Sequence, residues 1–277
     1  MSGFRVAMIQ MFTDAERKVN LETASRYIRK AASEGADIAV LPEMFICPYQ
    51  TQNFPVYAEP EGGESFQRLS EIAKENGIYL IAGSVPELED GKVYNTCYAF
   101  DRNGKKIGKH RKVHLFDINV EGGQYFKESD TLTAGSQVDM IETEFGKIGL
   151  LICYDIRFPE MCRIMSEAGA MMVIVPGAFN MTTGPAHWEI HFRSRALDYQ
   201  IYTVGVSPAR DENGVYVSYG NSIAVSPWGD ILERMDEKEG LRIVEIDPDR
   251  IGKVRNQLPL KKQARWDVYR KYPVGRE

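Results

Sequence analysis

Apolar residues recur along this 277-residue chain with two alternating periods, one typical of helices and one typical of strands. In residues 20–32, apolar side chains such as Leu21, Ala24 and Ile28 fall on one helical face, and Gly35 supplies a stop signal. This spacing predicts an amphipathic helix. Continuous apolar runs between the helical segments predict buried strands.

The same alternation continues to the end of the chain. Asn103-Gly104 lies between two strand-like segments and predicts a hairpin. Further strands are predicted at 37–42, 78–82, 93–100, 147–152, 171–175, 201–206 and 222–225, and further helices begin near Phe66, at Pro159 and before Ala196. Interleaved helices and strands favour an α/β architecture, with a sheet covered by helices. No Gly/Ser-rich linker divides the chain, which predicts one domain over residues 1–277.

Cys153 stands at the end of one predicted strand. The apolar run 147–152 passes directly into it, and Phe158-Pro159 then signals the start of a helix. A thiol that faces the N-terminal amides of a helix is favoured as the thiolate, which is the nucleophilic form. The position therefore predicts a lowered thiol pKa. The alternative is a structural cysteine, because free cysteine is among the most buried residue types.

Two charged residues also lie at predicted strand ends. Pro42 stops an apolar run, and Glu43 follows it at once. Lys112 and His114 alternate with apolar residues and so share one face of a strand end. A buried carboxylate is costly without a partner or a chemical role. The alternatives are a glutamate turned to solvent, and a solvated basic edge or a patch for anionic ligands.

Together the three segments resemble the nitrilase superfamily of carbon–nitrogen hydrolases over nearly the whole chain. The family's catalytic residues correspond to Glu43 in Leu-Pro-Glu, Lys112 in Arg-Lys-Val-His-Leu-Phe-Asp and Cys153 in Cys-Tyr-Asp-Ile-Arg-Phe-Pro-Glu. A second family glutamate, which supports the lysine, corresponds to Glu128. The segment 176–189 is similar to the omega-amidase branch, whose members hydrolyse the terminal amides of 2-oxoglutaramate and 2-oxosuccinamate.

The resemblance implies a four-layer α-β-β-α sandwich and hydrolysis through a cysteine thioester. Glu43 would take the thiol proton, return it to the departing ammonia and later activate water. Lys112 and the backbone N–H of Tyr154 would stabilise the tetrahedral oxyanion. The expected partner is a small-molecule amide, with no cofactor and no metal.

The composition agrees with an ordinary soluble enzyme. A hydrophobic content of 43% permits a large core, and a net charge of -5 gives no electrostatic reason to expect nucleic acid or an anionic membrane. No apolar run approaches the roughly 18 residues that span a bilayer, and the first residues resemble a strand rather than a signal peptide. Four cysteines in a chain without a secretion signal predict reduced thiols and a cytoplasmic location.

Other residues offer weaker sites. The histidines occur in pairs four residues apart, a spacing that can present two imidazoles to a metal, but no third ligand is evident nearby: His110 with His114, and His187 with His191. The remaining cysteines lack a strand-end position before a helix start and are predicted to be structural: Cys47, Cys97 and Cys162. Arg193 and Arg195 are predicted to form salt bridges within a helix.

A short dicarboxylate mono-amide requires a cation near the thiol, ideally a guanidinium that can bind both carboxylate oxygens. Arg157, four residues after Cys153, is the candidate. The alternative for it is a structural ion pair with Asp155 or Glu160. Three further side chains are predicted to donate a hydrogen bond, to cover the carbon chain and to support the pocket wall, respectively: Tyr49, Phe179 and His187.

The leading hypothesis is an amidase for short dicarboxylate mono-amides such as 2-oxoglutaramate. One alternative is a deaminated glutathione amidase, whose branch shares the Cys-Tyr-Asp and Phe-Pro-Glu elements. Nitrile hydrolysis is disfavoured, because Tyr154-Asp155 stands where those enzymes have Trp-Glu. The other alternative is a non-catalytic binding scaffold, which would not need the charged residues. The family also predicts a homodimer, with the aromatic-rich C-terminal tail, about 255–277, at the subunit interface.

Overall fold

The computed structural model describes residues 3–272, and within them the chain forms fifteen strands and eight α-helices. The strands are β1 (Phe4–Gln10), β2 (Ile38–Val40), β3 (Tyr79–Ile81), β4 (Val85–Glu89), β5 (Lys92–Phe100), β6 (Lys106–Arg111), β7 (Asp117–Asn119), β8 (Tyr125–Lys127), β9 (Met140–Thr143), β10 (Gly146–Leu150), β11 (Met172–Pro176), β12 (Tyr202–Val206), β13 (Ile223–Val225), β14 (Ile231–Arg234) and β15 (Gly240–Ile246). The helices are α1 (Arg17–Ser33), α2 (Phe54–Tyr57), α3 (Glu64–Asn76), α4 (Pro159–Glu167), α5 (Gly184–Tyr199), α6 (Asp249–Gln257), α7 (Leu260–Gln263) and α8 (Trp266–Tyr269).

The strands form two large sheets and one short ribbon. The first sheet has the order β15-β1-β2-β3-β5-β4, with β6 also paired to β5, and the second has the order β14-β13-β12-β11-β10-β9. β7 pairs with β8 in the ribbon. At the centre of the first sheet β1, β2 and β3 run parallel, and β10, β11 and β12 do so in the second.

Alternating side chains of β1 show how the layers stack. Phe4, Val6 and Met8 lie in a cluster with β10, β11 and β12 of the second sheet, so they fill the space between the sheets. Ala7 and Ile9 lie in another cluster with α1 and α3, which therefore cover the outer face of the first sheet. α4 and α5 cover the second sheet in the same way. The predicted four-layer α-β-β-α sandwich is confirmed.

The candidate catalytic residues follow central strands. Glu43 follows β2, Cys153 follows β10, and Gly177 follows β11. The carboxyl ends of parallel strands meet at one edge of a sheet, where ligand sites of open α/β sheets occur. The sandwich brings the corresponding edges of the two sheets together.

The segment that begins at Cys153 departs from a simple order of strand followed by helix. A 3-10 turn, Cys153–Arg157, precedes α4, so no α-helix starts directly at the thiol.

In the described part of the C-terminal tail, Trp266 and Tyr269 pack on Arg163 of α4 of the same chain. The tail's residues 273–277 lie outside the described residues. Among the helices described, none is long and apolar enough to cross a membrane.

Candidate active site

A buried ammonium joins two buried carboxylates at the edge of the sandwich. Lys112 Nζ lies 3.0 Å from Glu43 Oε1 and 2.8 Å from Glu128 Oε1, and all three side chains have no exposed surface. Burial alone would lower the pKa of Lys112, but the charges of Glu128 and Glu43 outweigh it and the pKa is raised. The lysine therefore stays protonated. Burial raises the pKa of Glu128, which Lys112 opposes.

Each carboxylate also has neutral donors that fix its direction. Glu43 Oε1 accepts a hydrogen bond from Asn95 Nδ2 at 2.8 Å, and Glu43 Oε2 accepts one from the N–H of Ala178 at 2.7 Å. Glu128 Oε2 accepts one from the N–H of Phe116 at 2.8 Å. Buried charges need such partners, because removing a carboxylate from water is otherwise expensive.

Cys153 lies at a sharp turn with a left-handed backbone. Its φ is +47°, a region that residues other than glycine rarely adopt, at a cost on the order of 1–2 kcal/mol. Gly177 permits the turn, since a Cβ there would lie 3.2 Å from Cys153 Cα and 3.3 Å from Trp188. The turn brings the thiol into the range of Glu43, whose charge acts on it.

The predicted lowering of the thiol pKa is wrong. Burial is the largest influence on Cys153 and raises the pKa of the thiol, and the nearby Glu43 carboxylate raises it further, while Lys112 opposes both. The expected N-terminal amides of an α-helix do not face Cys153, because a 3-10 turn begins at this residue. The carboxylates of Glu43 and Glu128 lie close to the thiol instead. The resting thiol is therefore protonated, and its activation requires a base.

Asp155 connects the nucleophile turn to the segment that carries Lys112. Its Oδ2 accepts hydrogen bonds from the N–H of Ile152 at 3.1 Å and from His110 Nε2 at 3.0 Å. Its Oδ1 accepts from the N–H and from Nδ1 of His114, at 2.9 and 2.8 Å. Burial would raise the pKa of Asp155, but the hydrogen bonds from both histidines lower it to about 2.

His110 is a buried imidazolium. Its Nδ1 lies 2.9 Å from Asp139 Oδ2 while its Nε2 faces Asp155, so both ring nitrogens face carboxylates and both must donate. Burial opposes this charge, but the hydrogen bonds to Asp139 and Asp155 raise the pKa of His110 to about 9. His110 and His114 lie two residues on either side of Lys112, so Asp155 holds the lysine segment at two points.

Arg157 does not form either of the structural ion pairs considered for it. Within the described residues, Asp155 pairs with histidines, and neither it nor Glu160 binds Arg157. Arg157 Nη1 instead lies 3.1 Å from His187 Nδ1 and 3.2 Å from His191 Nε2.

The other predicted substrate contacts have mixed outcomes. The hydroxyl of Tyr49 lies 3.1 Å from Glu43 Oε1 and 2.7 Å from Glu128 Oε1, and its single proton serves these carboxylates. The predicted hydrogen bond from Tyr49 to a substrate stays a prediction, and in this structure the hydroxyl contacts both glutamates. The Arg157 guanidinium lies over the ring of Phe179, with 4.8 Å between its central carbon and the centroid of that ring. His187 is exposed and contacts Arg157.

The thiol opens into a narrow cleft between the two sheets' loops. Its lining contains three aromatic residues and one cation: Phe116, Cys153, Tyr154, Arg157, Ala178, Phe179 and Thr183. On the other side, Glu43 lines a second cavity of about 160 Å³ with Tyr49 and Tyr216. A cavity of about 700 Å³ between α1 and α3 is lined largely by charged side chains and contains none of the candidate catalytic residues.

Sequence reasoning missed several residues of the site. Asn95 is a polar residue inside a largely apolar strand, and Asp155 lies within the nucleophile motif two residues after Cys153, so the sequence offered a signal for both. The hydroxyl of Tyr216 donates to the carbonyl of Ala178. Tyr216 lies in an irregular loop, where no periodicity could have identified it.

The comparison with known families agrees with this geometry. A family model described as carbon-nitrogen hydrolase matches residues 5–256. The chain belongs to the carbon–nitrogen hydrolase family. An omega-amidase NIT2 of Xenopus tropicalis is 48% identical over 97% of this chain and 98% of its own length. This carbon–nitrogen hydrolase is an amidase that acts on linear amides.

Solved structures of the nitrilase superfamily share its fold. The crystal structure of Saccharomyces cerevisiae Nit3, a member of branch 10 of the superfamily, has a TM-score of 0.88 and 40% identity, covering 95% of this chain and 97% of that one. A glutamate-to-glutamine mutant of the amidase from Nesterenkonia sp. AN1 has a TM-score of 0.80 and 25% identity, covering 98% and 97%. That structure shows covalent addition of the acetamide moiety of fluoroacetamide at the active site cysteine.

The pairing of His110 with Asp139 and Asp155 leads us to expect that the stability of this hydrolase depends on pH. The raised pKa of His110 contributes stability that is fully present below its unfolded value of about 6.5 and is lost as the pH rises through about 9. In His110→Gln, the curve of unfolding free energy against pH should be flatter than that of the native protein between these values. The difference in slope should reach at most about 1.4 kcal/mol per pH unit.

Urea unfolding at a series of pH values measures this slope. The lowered pKa of Asp155 affects stability in a different pH range. Its contribution to stability is present above about pH 3.9 and is lost as the pH falls through about 2. Parallel curves for the two proteins from pH 6.5 to 9 would show that His110 does not titrate in that range.

Proposed function

We propose that this amidase hydrolyses the terminal amide of short dicarboxylate mono-amides, such as 2-oxoglutaramate, to the acid and ammonia through a thioester on Cys153. The observation that carries the proposal is the meeting of two features at one thiol. The buried Glu43–Lys112–Glu128 cluster supplies a base and a fixed positive charge. The cleft beside the thiol carries Arg157, a cation without an acidic partner among the described residues.

In the acylation step, the Cys153 sulfur bonds to the amide carbon while Glu43 takes the thiol proton. The carbonyl electron pair moves to the oxygen, which becomes an oxyanion. When the tetrahedral intermediate collapses, the C–N bond breaks and Glu43 returns the proton to the nitrogen, which leaves as ammonia. The protonated resting thiol makes this base necessary.

Lys112 and the N–H of Tyr154 stabilise the oxyanion. A fixed ammonium inside a water-poor site acts strongly on developing charge, because little solvent screens it. Glu128 keeps the lysine charged and directed, and it makes no contact with the bonds that break. In this scheme Tyr49 orders both glutamates by sharing its hydroxyl proton between them.

In the second step, a water molecule attacks the thioester carbon after Glu43 removes its proton. The C–S bond breaks, the sulfur recovers a proton, and the acid leaves. Glu43, Tyr49 and Tyr216 line a cavity of about 160 Å³, which does not include Arg157 in its lining and is large enough to hold water.

The substrate class is supported by the relatives and by the cleft. The Xenopus tropicalis relative at 48% identity is an omega-amidase. Phe179 and Phe116 offer apolar contact for a short carbon chain, and Arg157 offers a charged end for a carboxylate. We further propose one catalytic domain over residues 1–277, a cytoplasmic location and a homodimer.

Substrate choice tests the proposal directly. Purified enzyme should form 2-oxoglutarate from 2-oxoglutaramate, with ammonia as the leaving group, at a higher kcat/KM than from deaminated glutathione, whose leaving group is the larger cysteinylglycine, because the cleft beside Cys153 is narrow. Release of 2-oxoglutarate, the product common to both substrates, gives both values. Cys153→Ala serves as the blank. A higher kcat/KM for deaminated glutathione would assign the enzyme to that alternative substrate, and no turnover of either amide would favour a binding scaffold.

Substitutions of the charged residues test the mechanism. Glu43→Gln should lower kcat at least about 100-fold, and Lys112→Met should lower it by about 100- to 1,000-fold. Glu128→Gln should lower kcat less, because it acts through Lys112. Steady-state ammonia release gives these values, and near-normal kcat in Glu43→Gln or Lys112→Met would count against the assigned roles.

Mass spectrometry of the rapidly quenched enzyme should find the acyl group of the substrate on Cys153. Cys162→Ala, which removes another buried cysteine, is the matched control and should keep both the adduct and the turnover. An adduct on Cys162 together with normal turnover in Cys153→Ala would move the nucleophile.

The dimer proposal rests on exposed aromatic residues as well as on the family. Trp266 and Tyr269 are 39% and 46% exposed while Arg163 contacts both, and aromatic residues with arginine are enriched at interfaces. Light scattering at micromolar concentration should give twice the 31.4 kDa chain mass. A mass of one chain would reject the dimer.

A further inference from the structure

The side chain of Arg157 is held by one edge only. Nη1 lies within 3.2 Å of both His187 Nδ1 and His191 Nε2. A guanidinium nitrogen can only donate, so both imidazole nitrogens must be acceptors without a proton. This requires neutral histidines with the proton on Nε2 of His187 and on Nδ1 of His191.

The two protons of Nη1 are thereby used, and the opposite edge is left open. Arg157 Nε is buried and has no acceptor, and within residues 3–272 no hydrogen bond is recorded for Nη2. Nε and Nη2 together form the side-on pair that binds a carboxylate through two parallel hydrogen bonds. A buried donor without an acceptor is costly, so this edge is suited to a ligand that supplies two oxygens.

Aromatic rings fix the plane of the guanidinium. Its central carbon lies 4.8 Å from the ring centroid of Phe179 and 5.4 Å from that of Tyr154. Both residues line the cleft beside Cys153, as does Arg157 itself, so the unpartnered donors belong to a side chain of the same cleft as the thiol. Stacking on aromatic faces leaves the in-plane donors free for hydrogen bonds.

One stripe of α5 supplies the hydrogen-bond partners of Arg157. His187, His191 and Arg195 are four residues apart and therefore share a helical face. Arg195 holds the main chain of the same turn, since its Nη2 donates to the carbonyl of Arg157 at 2.9 Å and its Nε to the carbonyl of Ile156 at 3.0 Å. The helix thus fixes both the backbone and the side chain of Arg157.

Charges around the histidines keep them neutral. Burial, followed by Arg157, Arg195 and His187, lowers the pKa of His191 to about 4. Burial and Arg157 also lower the pKa of His187. Neutral imidazoles can accept from a guanidinium near neutral pH, as the two distances require. His187 and His191, whose spacing also suits a metal site, thus hold the Nη1 nitrogen of Arg157 between their rings.

We propose that His187 and His191 are positioning residues for substrate selection, which hold Nη1 of Arg157 so that its Nε–Nη2 edge binds the carboxylate of an amide substrate. This rests on the proposed function and specifies which end of the substrate Arg157 recognises. It predicts that losing an imidazole acceptor weakens binding of charged amides and leaves uncharged amides unaffected.

Succinamate and butyramide are matched probes, since a carboxylate of the first replaces a methyl group of the second. In His191→Leu, KM for succinamate should rise about tenfold, the factor that about 1.4 kcal/mol produces, with kcat changed less than about twofold. KM for butyramide should stay the same. His191→Gln, whose amide oxygen can accept from Nη1, should restore most of the affinity for succinamate.

Arg157→Lys is the positive control and should raise KM for succinamate at least as much, because an ammonium cannot form two parallel bonds. His187→Ala removes the second acceptor at an exposed position and provides the same comparison if His191→Leu fails to fold, which thermal melting would reveal. Equal losses on succinamate and butyramide, or equal losses in His191→Gln and His191→Leu, would overturn the proposal. Failure to hydrolyse 2-oxoglutaramate would instead reject the proposed substrate, since the succinamate-to-butyramide ratio does not involve a 2-oxo group.

Discussion

The buried ammonium of Lys112 is the charge on which the rest of the site depends. Three ionisable side chains without exposed surface can coexist only because each is paired and hydrogen-bonded, and loss of one partner from such a cluster typically costs about 3–5 kcal/mol. The partners come from distant segments: Asn95 lies in β5, and the N–H of Ala178 follows β11. The two sheets must therefore be packed before the cluster is complete. The packing of the two sheets therefore supplies the partners that stabilise a permanently charged lysine beside a thiol.

The nucleophile is tied to this cluster through a second buried carboxylate. Asp155 binds the N–H of Ile152 just before the thiol, and it binds His110 and His114 on either side of Lys112. The left-handed backbone of Cys153 is unfavourable by itself and persists because these hydrogen bonds determine the turn on one side and Gly177 leaves room on the other. One aspartate thus links the turn that carries the thiol to the segment that carries the lysine.

The sequence predicts those parts of the site that depend on local pattern. Strand ends at Glu43 and Cys153, the hairpin at Asn103-Gly104 and the alternation of helices and strands all follow from periodicity and turn residues. The resemblance of three motifs extends this to the four-layer fold. What could not be predicted depends on contacts between distant segments. The thiol pKa is set by burial and by Glu43, more than a hundred residues away, and the hydroxyl of Tyr49 is used by two glutamates whose proximity only the folded chain creates.

Chemistry and recognition are supported by different elements of the sandwich. Glu43 and Lys112 follow strands of the first sheet, while Arg157 is held by α5, the helix that covers the second sheet. Cys153 and Tyr154 lie in the one turn that is shared by both. The histidines that contact Arg157 lie on α5, whereas the hydrogen-bond partners of Glu43 and Lys112 in the described residues lie on other segments. The two sets of charges also differ in their partners: Lys112, Glu43 and Glu128 are buried and paired, whereas Arg157 has no acidic partner among the described residues and its buried Nε has no acceptor.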